Sequence, residues 1–343
     1  MKLVSLVKGI DRKENIKKSL ELIKKDLKDL DDKENILIKP NLTATKNIYA
    51  NTHVDAVAAL LEFLSKNVNG FEKKKITIAE GSGSALYENS STKMVLEDFG
   101  YYDMIKEYPN VSIETVDDYK EFFDIEVETV KSKETLKVAK RIRDFDYKIS
   151  ISIPKTHDYA IATLGIKNMM GFVKQEDKTL MHGMRTPSDP QSVKILGILP
   201  ASMIPWLRRR SRPLANFLLA RNKHYIKAVK IVNHNVARIA GEIMPDLVVL
   251  DGLYCVEEDG PVAGRGICVN CAIASADALK ADGMGARVMC LEPEDIGYLY
   301  LLHKEGLGDY SSAGLVGDTI DNCKKKIKMH PTYPVQKRWK DDS

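Results

Sequence analysis

Chemistry-bearing residues are densest at Pro154-Lys155-Thr156-His157, followed ten residues on by Lys167-Asn168-Met169-Met170-Gly171 and then by Lys178 and His182. Histidine both takes and gives protons near neutrality, and lysine supplies a compact positive charge. Two histidines interleaved with ammonium groups therefore suit acid–base work on an anionic substrate, or its capture. Lys155, His157, Lys167 and His182 form the candidate catalytic set. The competing reading is that the lysines are solvated and each histidine is satisfied locally. Their grouping behind one strand favours a site.

A second set is acidic. Asp251-Gly252, Glu257-Glu258-Asp259-Gly260-Pro261, Asp277 and Asp282 place carboxylates beside glycines, where oxygen ligands on tight turns suit a divalent metal. Asp251, Asp259, Asp277 and Asp282 are the candidate ligands, although such residues also make turns and caps, and Asp277 sits where a helix should begin. Glu80-Gly81-Ser82-Gly83 follows an apolar run and offers backbone N–H groups to an anion. It lacks the third glycine of a dinucleotide fingerprint and the Lys-Ser/Thr of a Walker loop. Cys268 and Cys271 have the spacing of a metal knuckle, but within a strand they point to opposite faces. A four-iron cluster would need Cys255 and Cys290 as well, and an intrinsic cluster is not expected.

These residues need a frame that brings strand ends together. Leu3–Val7 reads as an edge strand, followed by a helix that Asp11 caps and that carries Ile16, Leu20, Ile23, Leu27 and Leu30 on one stripe. Strands at 35–39, 76–80, 147–153, 246–251 and 267–274 alternate with helices near 55–67, 223–243, 276–289 and 293–304. Such alternation predicts an α/β fold with mostly parallel sheet flanked by helices, in two intimately packed lobes. The expected division is residues 1–190 with the Lys/His cluster, a basic arm at 191–222 containing Arg208-Arg209-Arg210-Ser211-Arg212, a second α/β part at 223–320, and a basic, frayed tail at 321–343. Functional loops should follow the strand ends, as Lys39, Glu80, Lys155 and Asp251 do.

Composition bounds the partners. The 343 residues exceed what one small domain needs, and 52 Lys+Arg against 48 Asp+Glu leave only +4, too balanced for a dedicated nucleic-acid binder. Five scattered cysteines and an amino terminus without an apolar signal region point to the cytoplasm. The apolar and basic stretch at 195–212 is too short to span a bilayer, and at most it touches a membrane surface.

In order and in type, Lys39-Pro40-Asn41-Leu42, Ala79-Glu80-Gly81, Pro154-Lys155-Thr156-His157, Leu164 to Gly171, His182, Asp251-Gly252, Gly260-Pro261, Ser275-Ala276-Asp277 with Asp282, and Gly306-Leu307-Gly308 resemble the domain of unknown function 362 family. The resemblance covers nearly all of the chain except the arm. Among these motifs Lys39, Asn41, Glu80, Gly81, Ser82 and Asn168 are the candidate substrate-binding residues. Many members carry ferredoxin-type cysteine runs; their absence here implies either a ferredoxin-type redox partner or non-redox chemistry. The family is also distantly similar to nickel-pincer lactate racemases, which would make His157, Lys167 and His182 acid–base or cofactor-holding groups. Lys178 stands where arginine is expected, and alanines flank Asp277. The reading that follows is an enzyme, isomerase-like or oxidoreductase, for a small anionic metabolite, with its cofactor open. The alternatives are an iron–sulfur-linked electron-transfer protein and a non-catalytic module for an acidic partner.

Overall fold

The computed structural model describes residues 1–83, 88, 90–183, 210, 211, 214 and 223–341. The expected arm at 191–222 lies almost wholly outside these residues. Among the described residues the framework is one ten-stranded mixed sheet. Its main run is β12 (Leu315–Gly317), β1 (Val4–Lys8), β11 (Arg265–Ser275), β10 (Leu247–Glu257), β7 (Tyr147–Ser152), β2 (Asn35–Lys39), β3 (Lys75–Glu80) and β4 (Val111–Thr115). From β10 to β4 every neighbouring pair is parallel, whereas β11 is antiparallel to both β10 and β1. Strand β8 (Lys155–His157) extends the sheet beside the end of β10 and turns back into β9 (Ile161–Thr163). A separate hairpin, β5 (Phe122–Glu128) with β6 (Lys133–Ala139), packs against the layer below.

The parallel strands are apolar on both faces because helices cover both. Ile36, Ile38, Ile76 and Ile78 face one core with α1 (Arg12–Leu22) and α2 (Val54–Asn67). Leu37, Val248 and Leu250 face another, with α7 (Lys223–Ile243), α8 (Ala278–Val288) and α9 (Gly297–Lys304). Between these lie α3 (Thr92–Asp98), α4 (Tyr101–Met104), α5 (Gly165–Asn168) and α6 (Lys178–Met181). Asp11 caps α1 through the Glu14 N–H, as its position implies. The stripe from Ile16 to Leu30 is buried throughout, but after Leu22 it continues in a tighter 3-10 helix over Lys24–Asp32.

Four sequence expectations change. The opening strand is not at an edge: β1 lies between β11 and β12, a pairing between residues about as far apart in the chain as it allows. The helix expected over 293–304 is a 3-10 turn at Pro293–Asp295 followed by α9. Asp251 does not end its strand, because β10 runs on to Glu257. The tail is not frayed. Ile327, His330, Thr332, Val335, Gln336 and Trp339 are all buried, since apolar side chains among the lysines dock against α7 and α9. No helix among the described residues is long and apolar enough to cross a membrane.

Candidate functional site

The carboxyl ends of β2, β3 and β7 meet at one rim, where open parallel sheets bind ligands. Lys39 closes β2 and Glu80 closes β3, and their side chains pair at 2.6 Å while both are buried. Glu80 Oε2 also accepts from Leu42 N (3.0 Å) and Oε1 from Gly81 N (2.7 Å); Lys39 Nζ donates further to the Pro40 carbonyl and to Asn168 Oδ1. A buried charge is tolerable only with such full pairing. Gly171 lies directly over the pair: a Cβ there would stand 2.6 Å from Lys39 Cε and 3.0 Å from Glu80 Oε1. Glycine is thus required by close approach, not by an unusual φ.

An amide relay links this pair to a second buried lysine. Asn168 Nδ2 donates to the Lys39 carbonyl and Ser150 Oγ, Asn41 Nδ2 donates to Asn168 Oδ1, and Lys155 Nζ donates to Asn41 Oδ1 (2.6 Å) and the Ala50 carbonyl (2.8 Å). The helix carrying Lys167 and Asn168 is only one turn long and is held by Asp282, whose carboxylate accepts from Gly165 N (2.7 Å) and Ile166 N (2.9 Å). Burial pushes the Asp282 carboxyl up to about 7, against the two N–H groups that favour its charge.

Above this network is a cavity of about 380 Å³, walled among others by Asn41, Glu80, His157, Lys167, Lys178 and His182. His157 ends β8, and the chain then reverses through Asp158-Tyr159-Ala160 into β9 with Ile161 at φ +66°, a strained value for a β-branched residue. The surroundings hold that turn: Tyr225 Oη and Thr332 Oγ1 donate to the Asp158 carbonyl, and Gln336 Nε2 donates to the His157 carbonyl.

The two imidazoles lie nearly parallel, 10° apart with centroids at 5.8 Å, and their tautomers are opposed. His157 Nδ1 accepts from Tyr159 N (3.0 Å) and Ala160 N (3.2 Å), so the neutral ring carries its proton on Nε2. The Asp158 carboxylate 3.1 Å from the same nitrogen is therefore not a salt bridge. His182 Nδ1 lies 2.9 Å from the Lys178 carbonyl, which only accepts, so its proton is on Nδ1 and its Nε2 is a bare lone pair. Burial first, and then the neighbouring Lys167, hold both rings neutral: His157 falls well below the usual range and His182 falls to about 4.

Positive charge is in excess. Burial lowers Lys155 to about 7 and Lys167 and Lys178 to about 8, and it lowers Lys39 despite Glu80. Lys178 Nζ is held by the Gly81 carbonyl (2.9 Å) and Gln175 Oε1 (2.5 Å). Lys167, buried to 7% exposure on the cavity wall, makes no hydrogen bond or ion pair among the described residues. Among the described residues Lys39, Lys155 and Lys178 share the single buried carboxylate Glu80, and Lys167 has only the partly exposed Asp158 nearby, so the cavity favours an anion.

The placements refine the sequence reading. His157, Lys167, His182, Asn41, Glu80, Gly81 and Asn168 all line the cavity. Lys39 and Lys155 lie beneath it with their donors engaged, which leaves Lys155 a source of potential and not a proton carrier. Ser82 is buried behind the wall, and the Gly81 and Ser82 amides already donate to Glu80 and Thr92, so the glycine-turn N–H groups do not form the expected anion cradle.

The four aspartates do not converge. Asp251 pairs with Arg12 at 2.7 Å, Asp277 caps α8 through Lys280 N, Asp282 holds α5, and the half-exposed Asp259 stands 3.9 Å from His330. No three His, Cys, Asp or Glu side chains among the described residues are grouped to hold a metal ion, and the lysines would repel a bare dication. Cys268 is exposed and Cys271 buried, the opposite faces expected of a strand. Sequence reasoning passed over Lys178 as a site residue, although it stands in the cluster. It missed Thr43 and Tyr159, which flank predicted residues, and the tail residues Thr332 and Gln336, which no local motif marks.

The family model for the domain of unknown function 362 matches residues 36–287. The chain belongs to this family. The matched segment spans every candidate from Lys39 to Asp282, but it stops short of the Gly306-Leu307-Gly308 turn that the resemblance included. No curated protein matches the chain. Among solved structures it is similar to the lactate racemase apoprotein from Thermoanaerobacterium thermosaccharolyticum, at 13% identity and a TM-score of 0.44, over 82% of this chain and 55% of that one. The chain thus spans about half the length of that protein.

Proposed function

We propose that this member of the domain of unknown function 362 family is an enzyme that moves a proton on a small anionic metabolite. The observation that carries the reading is the opposed tautomer pair: His157 keeps its proton on Nε2, His182 leaves its Nε2 bare, and both residues line the cavity, which offers an acid and a base at the same pH. Lys167 and Lys178 would neutralise the carboxylate or phosphate, with Lys39 and Lys155 adding potential from below. The cavity's size suits a small metabolite. All five cysteines are free, in keeping with a reducing compartment such as the cytoplasm.

The test is exchange in heavy water. A panel of small hydroxy acids, oxo acids and phosphate esters is incubated with the protein, and carbon-bound protons are followed by NMR. At least one compound is expected to exchange, with the rate abolished in His157→Asn, whose side-chain oxygen can still accept from the Tyr159 and Ala160 amides and so keep the thermal midpoint close to that of the natural protein. Full activity in a normally folded His157→Asn protein would sink the assignment.

A further inference from the structure

The four lysines of the site are not equivalent. Lys39 is locked by Glu80, the Pro40 carbonyl and Asn168; Lys155 by Asn41, Thr43 and the Ala50 carbonyl; Lys178 by the Gly81 carbonyl and Gln175. An amine gripped by two or three acceptors is aimed at them, and its nitrogen is not turned to a substrate. Of these only Lys178 lines the cavity, where its remaining donor can meet a carboxylate or phosphate while Lys39 and Lys155 add potential from below. Lys167 differs: it is buried on the cavity wall, close enough to both histidines to depress their protonation, and no acceptor among the described residues engages it.

Resting on the function proposed above, we propose that Lys167 condenses with the carbonyl carbon of the substrate, which makes the substrate class a small carboxylate or phosphate ester bearing a ketone or aldehyde. The Lys167 nitrogen lone pair attacks the carbonyl carbon, and the carbon–oxygen π pair moves to oxygen, which takes the Nε2 proton of His157. The nitrogen's surplus proton goes to Nε2 of His182. The resulting carbinolamine loses its hydroxyl as water, which departs with the proton that His182 received, while the nitrogen lone pair forms the carbon–nitrogen double bond of a protonated imine, and His157 regains its Nε2 proton from solvent. The sum is amine plus carbonyl plus one proton giving protonated imine plus water, with no oxidant or reductant. Desolvation leaves a usable share of this amine unprotonated near neutrality, which an exposed lysine lacks. The imine also accounts for the histidine pair, because a protonated imine withdraws electrons from the adjacent carbon, whose proton His182 can then take.

The experiment is reductive trapping. The full-length protein is incubated separately with pyruvate, 2-oxoglutarate and dihydroxyacetone phosphate in the presence of cyanoborohydride, and intact mass and peptide mapping are read. The expected result is one reduced adduct per chain on Lys167 with at least one probe, competed by inorganic phosphate and absent from Lys167→Arg. Mapping on the unmodified sequence keeps the result readable should that variant fold poorly. Adducts spread over exposed lysines such as Lys66 would overturn the proposal. So would probes that raise the thermal midpoint yet leave Lys167 unmodified, in which case the acid–base reading stands without the imine. If no probe binds or is trapped, and the heavy-water panel shows no exchange, both fail.

Discussion

Replacing Gly171 by alanine tests whether the Lys39–Glu80 pair is the foundation of the site. The new Cβ would stand 2.6 Å from Lys39 Cε, 2.8 Å from Nζ and 3.0 Å from Glu80 Oε1. Ordinary carbon contacts need about 3.5–4.0 Å, so the lysine must retreat by roughly 1 Å. That retreat stretches the 2.6 Å bond to Glu80 and the 2.7 Å bond to the Pro40 carbonyl beyond hydrogen-bond length. Disrupting a buried pair costs about 3–5 kcal/mol, against roughly 0.4–1 kcal/mol regained from the stiffer unfolded chain, so a net loss of about 3 kcal/mol is expected. Urea unfolding measures it directly. In a Lys39→Ala/Glu80→Gln background the same substitution should cost less than about 1 kcal/mol, because both the pair and the Lys39 Cε that the new Cβ meets are gone. A loss under about 1 kcal/mol in the natural background, or an equal loss in both, refutes the reasoning.

Other expectations concern charge and positioning. Lys155 titrates near 7 in the folded protein and near its ordinary value when unfolded, so the unfolded chain holds more protons between about pH 7 and pH 10 and stability should rise with pH across that window. Lys167 and Lys178 add to the same slope, and saturating phosphate or Lys155→Met should flatten it in urea titrations; a flat profile for the free protein would contradict the buried-cation account. Asp282→Ala strands the Gly165 and Ile166 amides and should cost about 3 kcal/mol while weakening anion binding, read by denaturation and calorimetry. Gln336→Leu leaves the His157 carbonyl without its donor and should cost about 1–2 kcal/mol, with a fall in exchange rate that exceeds any change in anion affinity.

Much of the site was legible because it lies on short segments that follow strands. Lys39, Glu80 and His157 are each read from an apolar run that stops at a polar residue, and parallel topology brings such ends to one rim. The acidic set was misread because aspartate beside glycine looks the same whether it caps a helix, grips a guanidinium or binds a cation, and only the partner distinguishes them. Lys155 was read as catalytic because its type is right, yet its reach ends at Asn41 and the Ala50 carbonyl, below the cavity.

The alternation of strands and helices, the order of the strand-end motifs and the excess of lysine around two histidines are all set within short windows, where periodicity and composition suffice to read them. Only the folded chain settles which lysines are locked and that no acceptor among the described residues engages Lys167, together with the opposed tautomers of His157 and His182 and the docking of Thr332 and Gln336 beneath the histidine turn. Each of these depends on which acceptor a side chain meets and how deeply it is buried, and the partners are in several cases more than a hundred residues away.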